Sequence, residues 1–129
     1  MGAIVVTGAA KGIGRAVAER LAQDGASLVL VDWDAEGLAG VPDALGVPCR
    51  VVTGSVADEA TAVRVAEAAA EMGGCTGLSH NAGIQRYGTA VTTPRETWDE
   101  VMGVNLTSGY LLARALLPQL VETRGAIVF

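Results

Sequence analysis

The chain has 129 residues, half of them hydrophobic and 17 of them glycine, which suits one α/β domain with tight turns and argues against disorder. A formal net charge of −5 with dispersed basic residues argues against nucleic-acid binding, because phosphates would be repelled. Cys49, Cys75 and a lone His80 share no metal-ligand spacing, and no apolar run approaches the roughly 18 residues of a membrane span, so the expectation is a cytoplasmic domain with no metal, nucleic-acid or membrane partner.

The first apolar run, Ala3-Ile4-Val5-Val6, reads as a strand buried on both faces. It leads into Thr7-Gly8-Ala9-Ala10-Lys11-Gly12-Ile13-Gly14, and Ile13, Val17 and Leu21 then recur at helical spacing over a helix from about Ile13 to Asp24, stopped by Gly25. Glycines 8, 12 and 14 permit positive φ, remove side chains where a pyrophosphate would approach backbone N–H groups, and let helix and strand pack closely, with the helix N-terminus facing the phosphate charge. Gly8, Lys11, Gly12, Ile13 and Gly14 are therefore candidate phosphate-cradle residues. A second strand, Ser27–Val31, ends at Asp32, some twenty residues downstream, where a carboxylate can accept hydrogen bonds from an adenosine ribose. It would repel a 2′-phosphate, so Asp32 favours NAD over NADP, and its neighbour Trp33 is a further candidate cofactor-binding residue.

Residues 34–46, interrupted by Pro42, predict a stunted crossover. Cys49–Thr53 is a third strand, followed by the loop Ser55-Val56-Ala57-Asp58 and a helix that starts with Asp58 and Glu59. That helix carries Val63, Ala66 and Ala70 on one stripe and Val65, Ala69 and Met72 on an offset one, and Gly73-Gly74 ends it. Thr76–His80 is a brief fourth strand running into Asn81-Ala82-Gly83-Ile84. Small side chains at 82 and 83 admit a ligand to the backbone, and the Asn81 amide can tie strand ends or meet a ribose. His80 is expected to pack or cap locally. Thr93, Pro94 and Glu96 predict a long helix with threonine as N-cap and proline at the first turn. Trp98, Val101, Asn105, Gly109, Leu112, Leu116 and Leu120 form one stripe, which puts Asn105 on the buried face, and Pro118 is expected to kink the end. Gly125–Phe129 is a fifth strand.

Three of these stretches together resemble the short-chain dehydrogenase/reductase family: Thr-Gly-x-x-x-Gly-Ile-Gly at 7–14, Asn81-Ala82-Gly83 after the fourth strand, and Val104-Asn105-Leu106 in the long helix. The resemblance implies an α/β, Rossmann-like, doubly wound parallel sheet in the order 3-2-1-4-5, ending after strand five. Residues 1–129 are then a single domain, the N-terminal, cofactor-binding half of such a protein. It also implies a nicotinamide cofactor above strands 1 and 4 and hydride transfer between it and a small-molecule alcohol or carbonyl substrate. Asn105 would belong to the catalytic tetrad, holding a water in the proton relay. Ser55 and Val56 would lie at the adenine, with Ser55 in place of the aspartate usual there. Lys11 stands where NADP-preferring relatives often carry a basic residue, and Asp32 opposes that preference. The family's active-site serine and Tyr-x-x-x-Lys do not occur in these 129 residues; Tyr110-x-x-x-Arg114 copies the spacing one helix too early. The 129 residues alone are accordingly expected to bind without turnover and to be poorly soluble, and the helix from Pro94 is expected to form a dimer or tetramer. The alternatives are a catalytically incomplete nucleotide-binding module or pseudoenzyme, and an adenine-nucleotide domain of another chemistry such as methyl transfer.

Overall fold

The computed structural model describes residues 1–129 as strands and helices in alternation. They are β1 (Ala3–Thr7), α1 (Gly12–Gln23), β2 (Ser27–Asp32), α2 (Ala35–Leu38), α3 (Val41–Leu45), β3 (Cys49–Thr53), α4 (Glu59–Glu71) and β4 (Cys75–His80). After a stretch without regular structure come α5 (Arg95–Met102), a π-helical segment (Gly103–Thr107), α6 (Ser108–Thr123) and β5 (Ala126–Val128). All strand pairs are parallel, in the order β3-β2-β1-β4-β5. This is the doubly wound arrangement and strand order that the sequence predicts.

Side chains alternate across the sheet, so β1 and β2 feed two cores. Val5, Val29 and Val31 meet Val65 and Ala69 of α4 and Leu112, Leu116 and Leu120 of α6 on one face. Val6, Leu28 and Leu30 meet Ala18 of α1, Leu38 of α2 and Val41 of α3 on the other. The stunted crossover resolves into α2, capped by Asp34 accepting from the Gly37 N–H at 2.9 Å, and α3, which ends on Gly46 at φ 65°.

Several local expectations are corrected. In α1 the buried residues are Gly14 and Ala18, while Ile13 points outward, because a small-residue stripe lets the helix lie close to the sheet. In α4 the offset stripe of Val65 and Ala69 packs, and Val63 is exposed. Thr93 does not cap the long helix: its hydroxyl donates to the Thr89 carbonyl at 2.7 Å, and α5 begins after Pro94 with no side-chain cap. The π segment then breaks the long helix in two and shifts the phase of the stripe, so Trp98 and Asn105 are exposed while Leu112, Leu116 and Leu120 are buried. α6 runs through Pro118 to Thr123.

Candidate dinucleotide site

The carboxyl ends of β1, β2 and β4 open into a cavity of about 370 Å³. Its wall contains Gly8, Lys11, Gly12, Ile13, Gly14, Asp32, Trp33, Ser55, Val56, Asn81, Ala82 and Gly83, the twelve residues that the sequence nominates for binding. Gly54, Ile84, Arg86 and Val104 complete it. Arg86, ion-paired to Glu100 at 2.9 Å, follows no recognisable motif; its only signal is that it trails Asn81-Ala82-Gly83.

The floor follows from the glycine turn. Gly8 has φ 67°, which favours glycine, and a Cβ there would stand 3.1 Å from the Ala82 nitrogen and crowd the loop after β4 against β1. Gly14 does the close-packing part of the work expected of the three glycines. It is inside α1, and a Cβ would overlap the Gly8 carbonyl, so its absence seats the helix on the turn. Gly12, at φ 59°, faces open space. No side chain caps α1 at Lys11, so its first N–H groups are free to meet an anion in the cavity.

At the far end, the Asp32 carboxylate is held from two sides. Oδ2 accepts from the Ala10 N–H at 3.0 Å and Oδ1 from the Asp34 N–H at 3.1 Å, and each oxygen keeps a lone pair for a further donor. The Trp33 indole, 61% exposed, stands beside it. Ser55 accepts from the Ala57 N–H at 3.2 Å, which leaves its O–H to donate.

The loop after β4 is fastened at both ends. The Asn81 and Ala82 N–H groups donate to Thr7 Oγ1 at 3.0 and 3.1 Å. The strand ends are thus tied by the threonine, and the Asn81 amide instead donates to the Ser79 hydroxyl and carbonyl at 3.0 and 3.1 Å. At the other end Asn105 takes the backbone of Ile84 in a two-point grip: Oδ1 accepts from its N–H at 2.7 Å and Nδ2 donates to its carbonyl at 2.8 Å. Asn105 lies outside the wall of the first cavity and lines a second one of about 650 Å³ with His80, Ala82, Leu106, Thr107, Gly109, Tyr110 and Phe129. Ala82 belongs to both.

His80 does not pack locally. It is 8% exposed, and its two ring nitrogens bridge β1 to α6, with Nδ1 2.7 Å from Thr7 Oγ1 and Nε2 2.8 Å from Ser108 Oγ. Burial lowers its pKa from the ordinary histidine value. Burial likewise raises the thiol pKa of Cys49 and Cys75, which are free and line neither cavity. Tyr110 and Arg114 touch at 3.4 Å on the exposed side of α6, where Arg114 also faces Glu59 at 3.7 Å. No group of histidine, cysteine and acidic side chains is placed to hold a metal, and no helix is long and apolar enough to cross a membrane.

A family model described as short chain dehydrogenase matches residues 2–129. The meso-2,3-butanediol dehydrogenase of Serratia marcescens is 32% identical over 97% of this chain and 51% of its own length. The D-threitol dehydrogenase of Mycolicibacterium smegmatis is 34% identical over 96% of this chain and 49% of its own. Among solved structures, an alcohol dehydrogenase from the archaeon Thermococcus sibiricus complexed with 5-hydroxy-NADP superposes with a TM-score of 0.93 at 27% identity, over 98% of this chain and 56% of that one. The chain thus spans about half the length of the curated relatives it matches.

Proposed function

Because the chain belongs to the short-chain dehydrogenase/reductase family, we propose that the cavity above β1 and β4 takes a nicotinamide dinucleotide, with NAD preferred to NADP. The residues fit such a group: a glycine floor and an uncapped helix N-terminus suit a pyrophosphate, and a fixed carboxylate suits ribose hydroxyls. The observation that carries the preference for NAD is Asp32, whose carboxylate is held by the Ala10 and Asp34 N–H groups with spare lone pairs, next to where a 2′-phosphate would have to sit.

In this reading the protein is an oxidoreductase acting between an alcohol and a carbonyl. The nicotinamide, when bound, supplies or accepts the hydride. Residues 1–129 bind and orient it: Gly8, Lys11, Gly12, Ile13 and Gly14 at the phosphates, Asp32 and Trp33 at the adenosine ribose, Ser55 and Val56 at the adenine, and Asn81, Ala82 and Gly83 under the rest. Asn105 keeps the loop after β4 in place and is the one catalytic-tetrad candidate among them. With no Tyr-x-x-x-Lys in these residues, they bind without turning over by themselves. The substrate is a small alcohol or carbonyl compound, the location cytoplasmic, and the assembly a dimer or tetramer through α5 and α6, whose exposed Trp98, Tyr110, Leu117 and Val121 suit such a contact.

Titration calorimetry with both dinucleotides tests the preference. NAD should bind at least about tenfold more tightly than NADP, and Asp32→Ala should bring the two affinities together. An unchanged ratio in that variant refutes the role given to Asp32.

A further inference from the structure

Thr7, His80 and Ser108 form a buried polar chain, and none of the three is part of the wall of the dinucleotide cavity. Its hydrogens can be assigned by counting. A hydroxyl has one hydrogen to give and two lone pairs to accept with. Thr7 Oγ1 already accepts from the Asn81 and Ala82 N–H groups, so its hydrogen goes to His80 Nδ1. Nδ1 is then an acceptor, and the proton of the neutral ring sits on Nε2, which donates to Ser108 Oγ. Ser108 in turn donates to the Val104 carbonyl. Every buried polar side-chain atom is satisfied. A cationic ring would aim a second N–H at a threonine oxygen with no lone pair left.

We infer that His80, held as the neutral Nε2–H tautomer, is a positioning residue that couples the Asn81–Ile84 loop to the π segment carrying Asn105. Two fastenings hold that loop, Thr7 at its start and Asn105 at its end, and they belong to different elements. The chain from Thr7 through His80 and Ser108 to Val104 joins them on the buried side, and Val104 is both a wall of the dinucleotide cavity and the neighbour of Asn105. The Phe129 ring meets the imidazole edge-on at 5.9 Å between centroids. The circuit therefore fixes the spacing between the loop under the dinucleotide and the segment that carries Asn105.

The two halves of the ring can be separated by substitution. His80→Asn keeps an acceptor where Nδ1 stood and gives up the reach to Ser108. His80→Gln extends an amide towards Ser108 and leaves the Thr7 hydroxyl without its acceptor, loosening its hold on Asn81 and Ala82. The consequence for NAD rests on the binding reading above; the tautomer does not. Long-range ¹H–¹⁵N correlation on protein labelled at histidine reads the tautomer directly, since His80 is the chain's only histidine. At pH 7 we expect one protonated nitrogen at Nε2 and one imine-type nitrogen at Nδ1; the opposite tautomer, or two averaged nitrogens, overturns the inference. In titrations with NAD, His80→Asn and His80→Gln, each of which cuts the chain at one end, should both lose about tenfold against the parent, and a variant of either kind that stays within about twofold overturns the coupling. A parent protein that shows the expected tautomer and binds no NAD refutes the cofactor reading and leaves the coupling standing. If both variants fail to fold, the tautomer of the parent decides.

Discussion

Gly14 has room for hydrogen and nothing else, because any Cβ would overlap the Gly8 carbonyl of the turn beneath it. Gly14→Ala should therefore cost about 3 kcal/mol and lower the melting temperature by about 10 °C without any nucleotide present. Gly12→Ala meets no neighbour and bears only the strain of φ 59°, so it should cost about 1 kcal/mol while weakening dinucleotide binding. Two thermal melts distinguish a packing glycine from a binding one. His80 adds a pH dependence. Its folded pKa is lowered by burial, so its contribution to stability is fully present above the ordinary value of 6.5 and is lost as pH falls towards the folded value, where the ring finally protonates in place. The midpoint of urea unfolding should fall below pH 6.5, and His80→Asn should flatten that fall. At this scale the sequence was informative wherever chemistry and spacing act together: a glycine turn, an acid at a strand end, an Asn-Ala-Gly. It said little of Ile13, since helical spacing names a stripe without saying which edge of it faces the sheet, and nothing of the bond from His80 to Ser108, 28 positions away.

The π segment Gly103–Thr107 decides where Asn105 points. Uninterrupted helical spacing would bury that amide; one wider turn delivers it to the Ile84 backbone instead. No residue pattern announces such a turn, which is why the stripe from Leu112 onward could be read correctly while its first half could not. Asn105→Ala should cost about 1 kcal/mol, with faster hydrogen exchange at the Ile84 amide and none gained at Ala82, which Thr7 holds. The start of α5 offers a contrasting check. A capping threonine is worth about 1 kcal/mol, but Thr93 bonds to Thr89 on the surface, so Thr93→Ala should change stability by no more than about 0.5 kcal/mol.

For the molecule as a whole, the accessible surface is 7271 Å², against about 6,400 Å² for a typical compact monomer of this mass. The exposed apolar side chains include Val128 and Phe129 at the edge of β5, Leu106 and Tyr110, which line the second cavity with Phe129, and Leu117 and Val121 on α6. An open, apolar edge strand invites pairing with another chain. We expect these 129 residues, produced alone, to elute from a sizing column as associated species, and Val128→Lys to shift them towards monomer; a monodisperse parent that melts cooperatively would refute this. Strand order carries a further consequence, in the time of synthesis. β1 is made before both of its neighbours yet lies in the middle of the sheet, pairing with β2 on one side and β4 on the other, so that Thr7 finds His80 only after about seventy more residues have left the ribosome. At about 5–20 residues per second, β1 spends about 4–15 s with one flank unpaired, a window in which a nascent-chain chaperone has the first claim on Val5 and Val6.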